Sequence, residues 1–304
     1  LKTHFGEAAW YDWPDKALRD HDPAALDAWR TRLAEDVAFH ETVQSWFFSQ
    51  WKALKDHANG LGVKIIGDLP IYVSLDSADV WSERKEFLLD ETGKPSRVAG
   101  VPPDYFSAEG QLWGNPLYDW AAMKADGFGW WIRRVEGASR LFDAIRIDHF
   151  RAFERYWSVP AGAETAREGR WEPGPGLDLL NVLTGWFPHI TYIAEDLGLL
   201  TPEVHQLREA AGLPGMKVLE FAFDHPGNAY LPHNYDSRRC ICYTGTHDND
   251  TALGWYDHAA ESERAFAERY LGASGREEVR RALLRCGMGS TAELFVAQMQ
   301  DYLA

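Results

Sequence analysis

Three acidic side chains stand just past apolar runs that read as strand ends: Asp148 in RIDHF, Glu195 in IAED and Asp248 in THDND. Carboxyls at such places act in pairs, one kept ionised and one kept protonated, and so supply the nucleophile or base and the acid that glycosidic-bond chemistry needs. A single Asp at a strand end is usually a helix cap or a turn residue, but three in matching contexts argue for one shared site. Side chains alternate along a strand, so Arg146 and Asp148 point one way while Ile145 and Ile147 face the surrounding helices. A guanidinium that close lowers a carboxyl pKa and suits Asp148 to the ionised role. Glu195 then needs surroundings that raise its pKa, as a general acid does. Asp196 and Asp250 read instead as caps or orienting groups.

The elements that must position these residues follow from the apolar pattern. Continuous apolar runs at 63–66, 144–147, 190–194, 218–223 and 241–244, with a weaker one at 294–299, predict buried parallel strands. Helical stretches at 201–211 and 262–271 lie between neighbours, and Asp22-Pro23 opens a long amphipathic helix. Phe39, Val43, Trp46, Phe47, Gln50, Trp51 and Leu54 trace one face of it up to Asn59-Gly60, and Trp29, Trp46 and Trp51 read as packing residues. Strand and helix alternation predicts an α/β barrel with its chemistry at the carboxyl ends of the strands. Segment 81–138 is too long for an ordinary connection and rich in Gly, Pro, Tyr and Trp, so it reads as an inserted lid subdomain. A second insert, 155–185, reads as irregular.

Bulk properties limit the partners. A chain of 304 residues with a net charge of -15 shows no basic patch for nucleic acid or an anionic membrane. A neutral ligand fits better, and 14 Trp residues offer flat apolar platforms with polar edges, suited to sugar rings. Cys240 and Cys242, two apart in a strand-like run, suit neither a disulfide nor a metal clip, and with Cys286 they read as thiols of a reducing compartment. No signal region or membrane-length apolar run is present, so a cytoplasmic protein is expected.

In this order, IIGDLPIYV, RIDHFRAF, IAEDLG and GTHDNDT resemble the four active-site segments of the amylomaltases, the 4-α-glucanotransferases of glycoside hydrolase family 77 in the α-amylase clan. DYFSAEGQLWGNPLYDW and LPHNY extend the resemblance over nearly the whole chain. It implies a (β/α)8 barrel and a retaining reaction on maltooligosaccharides and glucans, by a monomer without metal or cofactor. Asp148 would be the nucleophile, Glu195 the acid and then base, and Asp248 the clamp on sugar hydroxyls. Arg146, His149, His247 and Asp68 would line the donor subsite, and Tyr105, Phe106, Trp113 and Asn115, on the lid, the acceptor side. Retention asks for the two carboxyls about 5 to 5.5 Å apart.

The resemblance also implies that the first strand-like run is the third of the family's eight and that FVAQMQDYLA is the eighth. A fragment carrying strands 3 to 8 is therefore expected, one that exposes sheet edges and is unstable or weakly active alone. Two other readings compete with transfer. A metal-dependent barrel hydrolase could use His149 and His247, but there is no H-x-H on a first strand and no HExxH helix, and Arg146 would repel a cation. A non-catalytic glucan-binding protein would keep the groove without turnover.

Overall fold

The computed structural model describes residues 1–104, 107–198 and 200–303, so the expected acceptor-side residues Tyr105 and Phe106 lie outside the described residues. In chain order the strands are β1 (Ile66–Leu69), β2 (Arg97–Val101), β3 (Gln111–Pro116), β4 (Ala144–Ile147), β5 (Arg155–Pro160), β6 (Arg170–Pro173), β7 (Thr191–Ala194), β8 (Gly215–Val218), β9 (Cys240–Tyr243) and β10 (Leu294–Val296). They form sheets of order β1-β4-β7, β3-β2-β5-β6 and β10-β9-β8. β1 runs parallel to β4, and β9 runs parallel to both β8 and β10. Short parallel strands joined by helices make the fold α/β. Among the described residues no helix is long and apolar enough to cross a membrane. The chain divides into two compact units, Leu1–Tyr192 with Thr201–Leu207 and Ile193–Leu200 with Arg208–Ala304.

In the first unit, Asp22 accepts from the Ala25 amide and Pro23 takes the first helical position, as expected of a cap. The expected single helix is two, Pro23–Arg32 and Ala34–Gly60, separated at Leu33. The second helix buries none of its residues: Trp46 is 63% exposed and Phe39 64%, so neither is the packing residue expected. Periodicity identifies an apolar stripe; what covers it is a tertiary matter. Trp51 does pack, donating to the Leu141 carbonyl at 2.9 Å at the end of the helix Gly129–Leu141. That helix leads into β4. Gly67 in β1 is required by close approach, because a Cβ there would sit 2.1 Å from the Phe142 ring.

The segments 81–138 and 155–185 share one antiparallel sheet, since β2 pairs with β3 and β5, and β5 pairs with β6. The stretch expected to be irregular thus holds two strands and most of the helix Gly176–Trp186. Its strands, RYWSVP and RWEP, are broken by charged and polar residues and so form no continuous apolar run. Within segment 81–138, Tyr118, Trp130, Trp131 and Phe87 form a buried aromatic cluster, and the Tyr118 hydroxyl donates to the Ile71 carbonyl at 2.7 Å.

In the second unit, the helices Ala252–His258, Glu261–Leu271 and Arg276–Met288 accompany the parallel sheet. Leu219, Phe223, Leu231, Cys242, Val279 and Leu283 form their core, and Ile193, Met216, Val218 and Ile241 a second cluster. Three strands differ from expectation by more than one residue at a boundary. β1 begins at Ile66, where 63–66 was expected. β8 ends at Val218, where 218–223 was expected to be strand, and a 3-10 turn, Leu219–Phe221, follows. β10 ends at Val296, and the chain turns helical at Met299. An apolar run reports burial, and a buried turn such as Leu219–Phe221 meets that criterion as well as a strand does.

Candidate active site

Asp68 and Arg146 are direct partners in the parallel register of β1 and β4. Their side chains therefore emerge side by side, and Arg146 Nη1 lies 2.6 Å from Asp68 Oδ1 and 3.1 Å from Asp148 Oδ1. Arg146 is 7% exposed, whereas the two carboxylates keep 34% and 35% of their side-chain surface. One sequestered guanidinium thus makes charge-assisted contacts to two carboxyls that still face outward. Asp148 follows the last residue of β4, and its amide donates to the Leu69 carbonyl at 3.1 Å.

The next residue, His149, has φ 47°, a left-handed conformation that only a few per cent of non-glycine residues adopt. Such strain is retained where the surroundings over-determine it, often at functional sites. Burial, reinforced by the Arg151 guanidinium, pushes His149 down to about 3, so its ring is neutral at physiological pH. The ring stands edge-on to Trp113 with centroids 4.8 Å apart. Trp113 also meets Tyr72 at 6.2 Å, and its indole donates to the Gln111 side chain at 3.0 Å. Asn115 donates its amide to the Val73 carbonyl at 2.9 Å, which ties β3 to the loop after β1. Tyr72, within IIGDLPIYV, was not singled out from sequence; its place between two predicted groups was the available signal.

The second unit holds the other acids. Glu195 follows β7 directly and accepts from the Leu197 amide at 3.1 Å. Its neighbour Asp196 is buried, accepting from the Met216 amide at 2.7 Å and lying 3.3 Å from Arg208. Adjacent carboxyls thus divide the work: Asp196 orients the loop, as expected of it, and Glu195 stays partly open. His247 and Asp248, past β9, are 3.3 Å apart with side chains 62% and 69% exposed. Their turn is held from below. Thr246 Oγ1 accepts from the Asp248 amide at 3.2 Å and donates to Asn249 Oδ1 at 2.7 Å, while Gln298 Nε2 donates to the Thr246 and Asp250 carbonyls. Among the described residues no group of three or more His, Cys, Asp or Glu is placed to hold a metal ion.

The structure therefore gathers Asp68, Arg146 and Asp148, joins His149 to Trp113, and joins His247 to Asp248, while Asn115 braces β3 against the loop after β1. Short parallel strands with acidic residues at their carboxyl ends define an α/β protein. The chain belongs to the 4-alpha-glucanotransferase family, whose profile matches residues 1–304. It is 52% identical over 311 residues to a 4-alpha-glucanotransferase of Thermus thermophilus, covering 100% of this chain and 62% of the relative. A chloroplastic and amyloplastic 4-alpha-glucanotransferase of Solanum tuberosum is 45% identical over 97% of this chain and 51% of its own. The amylomaltase of Streptococcus agalactiae, solved with acarbose, superposes with a TM-score of 0.94 at 40% identity, over 99% of this chain and 61% of that one. The chain thus spans half to three fifths of the length of these relatives.

Proposed function

We propose that the protein of which this chain is part is a 4-α-glucanotransferase, moving α-1,4-glucan segments from a maltodextrin donor to the 4-hydroxyl of a glucose or maltodextrin acceptor. What most supports this reading is the Arg146 bridge between Asp68 and Asp148, at the carboxyl ends of paired parallel strands. The acarbose complex of the Streptococcus agalactiae amylomaltase supports a glucan-like substrate. In the proposed reaction the Asp148 carboxylate attacks the anomeric carbon while Glu195 gives its proton to the departing 4-oxygen. The C–O bond to the leaving sugar breaks as the ester to Asp148 forms. Glu195, now a carboxylate, takes the proton of an acceptor 4-hydroxyl, whose oxygen displaces Asp148 from the same carbon. Two inversions give net retention.

Asp248 and His247 hold ring hydroxyls, neutral His149 donates or accepts beside the nucleophile, and Trp113 covers the acceptor side. Lid segment 81–138, with the sheet it shares with 155–185, keeps water from the ester so that a bound sugar competes with solvent. On this reading β1, β4, β7, β8, β9 and β10 are strands 3 to 8 of a (β/α)8 barrel, in a monomeric cytoplasmic enzyme. The test is incubation of the full-length protein with maltotriose and chromatography of the products. Glucose plus a ladder of longer maltodextrins is expected, lost in Asp148→Asn and Glu195→Gln. Glucose and maltose without longer products would replace transfer by hydrolysis, and binding without turnover would leave a glucan-binding protein.

A further inference from the structure

The second unit contains a buried acid that the mechanism above does not use. Glu220 sits in the 3-10 turn after β8, 7% exposed, and its amide donates to the Thr244 carbonyl at 3.2 Å. Its Oε1 is buried without a hydrogen-bond partner. A Cβ on Gly245 would lie 2.7 Å from that oxygen and 2.9 Å from Gln298 Nε2, so the carboxyl and the amide both press on the glycine's bare face. Gln298 in turn holds the carbonyls of Thr246 and Asp250 at 2.8 and 2.9 Å. Fully buried Asp301 accepts from Thr244 Oγ1 at 2.9 Å and from the Ala252 amide at 2.8 Å. Side chains that follow β8 and β10 thus bracket the turn that follows β9.

We propose that Glu220 is a positioning residue: wedged against Gly245, its carboxyl sets the course of the 244–250 turn and with it the placement of His247 and Asp248. The inference rests on the transferase reading and deepens it. Charge explains why the wedge works only when neutral. Asp301 and Asp250 are the charged groups that act on Glu220; Arg280 donates to the Asp301 carbonyl and pairs with Glu277 at 3.0 Å, and the His258 ring lies 3.2 Å from Asp250. Burial, then Asp301 and Asp250, push Glu220 up to about 8. Its folded-state value is raised, so the proton stays on through neutral pH and is lost as pH climbs past about 8. A carboxylate there would be charged, unpartnered and beside two other acids.

The experiment measures kcat and KM for maltotriose disproportionation by the full-length protein from about pH 6 to about pH 9.5, in wild type, Glu220→Gln and Glu220→Ala. Hydrogen exchange of the 246–250 amides in the same proteins gives a readout that needs no catalysis. Wild-type activity is expected to fall through about pH 8. The Gln variant, an uncharged isostere, should stay within about twofold of wild type near pH 6 and lose the alkaline fall. The Ala variant should lose about tenfold at every pH and exchange the 246–250 amides faster, while Gln does not. An alkaline fall retained in Glu220→Gln, or Glu220→Ala equal to wild type in exchange, overturns the proposal. Wild type that makes no longer maltodextrins overturns the transferase reading instead, and the exchange data still decide whether Glu220 holds the turn.

Discussion

Asp148 and Asp248 stand at comparable places, just past the carboxyl ends of β4 and β9, yet they are held in opposite ways. Asp148 is gripped through its own carboxylate by a sequestered guanidinium that also serves Asp68. Asp248 carries an exposed carboxylate, and what is fixed is its backbone, through Thr246, Asn249 and Gln298. The first arrangement suits a group whose charge and angle of attack must be set before substrate arrives. The second suits one that closes on sugar hydroxyls and needs water only until then. Stability and activity should accordingly be coupled at the first site and separable at the second.

The strongest challenge to that contrast is removal of the carboxylate proposed as nucleophile. Asp148→Asn should lower kcat for maltotriose transfer by roughly 10⁴-fold or more, since no covalent ester can form; product chromatography measures it. Asp248→Asn should cost about 10²- to 10³-fold in kcat, the scale for one transition-state contact, with a melting temperature within about 1 °C of wild type. A large loss of stability there would erase the distinction between the two sites. Arg146→Met removes the guanidinium that Asp68 and Asp148 share. A loss of about 2 kcal/mol in urea unfolding is expected, less than for wholly buried pairs because both carboxylates keep a third of their surface in water.

The contrast sharpens further at His149. Its folded value is depressed to about 3 while the unfolded ring titrates near 6.5. The folded form refuses a proton that the unfolded chain accepts, so this stability is complete above about 6.5 and is lost as pH falls toward about 3. His149→Asn, which tolerates the left-handed backbone, should therefore lose a few degrees less than wild type in melting temperature between about pH 7 and about pH 5. The smallest effect belongs to Asn115→Ala, about 1 kcal/mol by urea unfolding for the lost bond to the Val73 carbonyl.

Local sequence determined the extent of β4 and the cap at Asp22. Ala144–Ile147 is a short apolar run that stops at Asp148, and Asp22-Pro23 joins a capping side chain to a residue suited to the first helical turn. Glu195, after the apolar residues of β7, was legible for the same reason. Tertiary structure alone decided what depends on residues distant in the chain. Asp68 meets Arg146 across 78 positions only because β1 and β4 pair in one parallel register. Segments 81–138 and 155–185 become one sheet because β2 finds β5, a pairing that no local pattern encodes. Likewise the run after Lys217 is strand only to Val218 because Glu220 must turn toward Gly245, where a glycine without a side chain makes room for it. Polarity and spacing are properties of neighbours in sequence, whereas register, burial and the company of a charge are properties of neighbours in space.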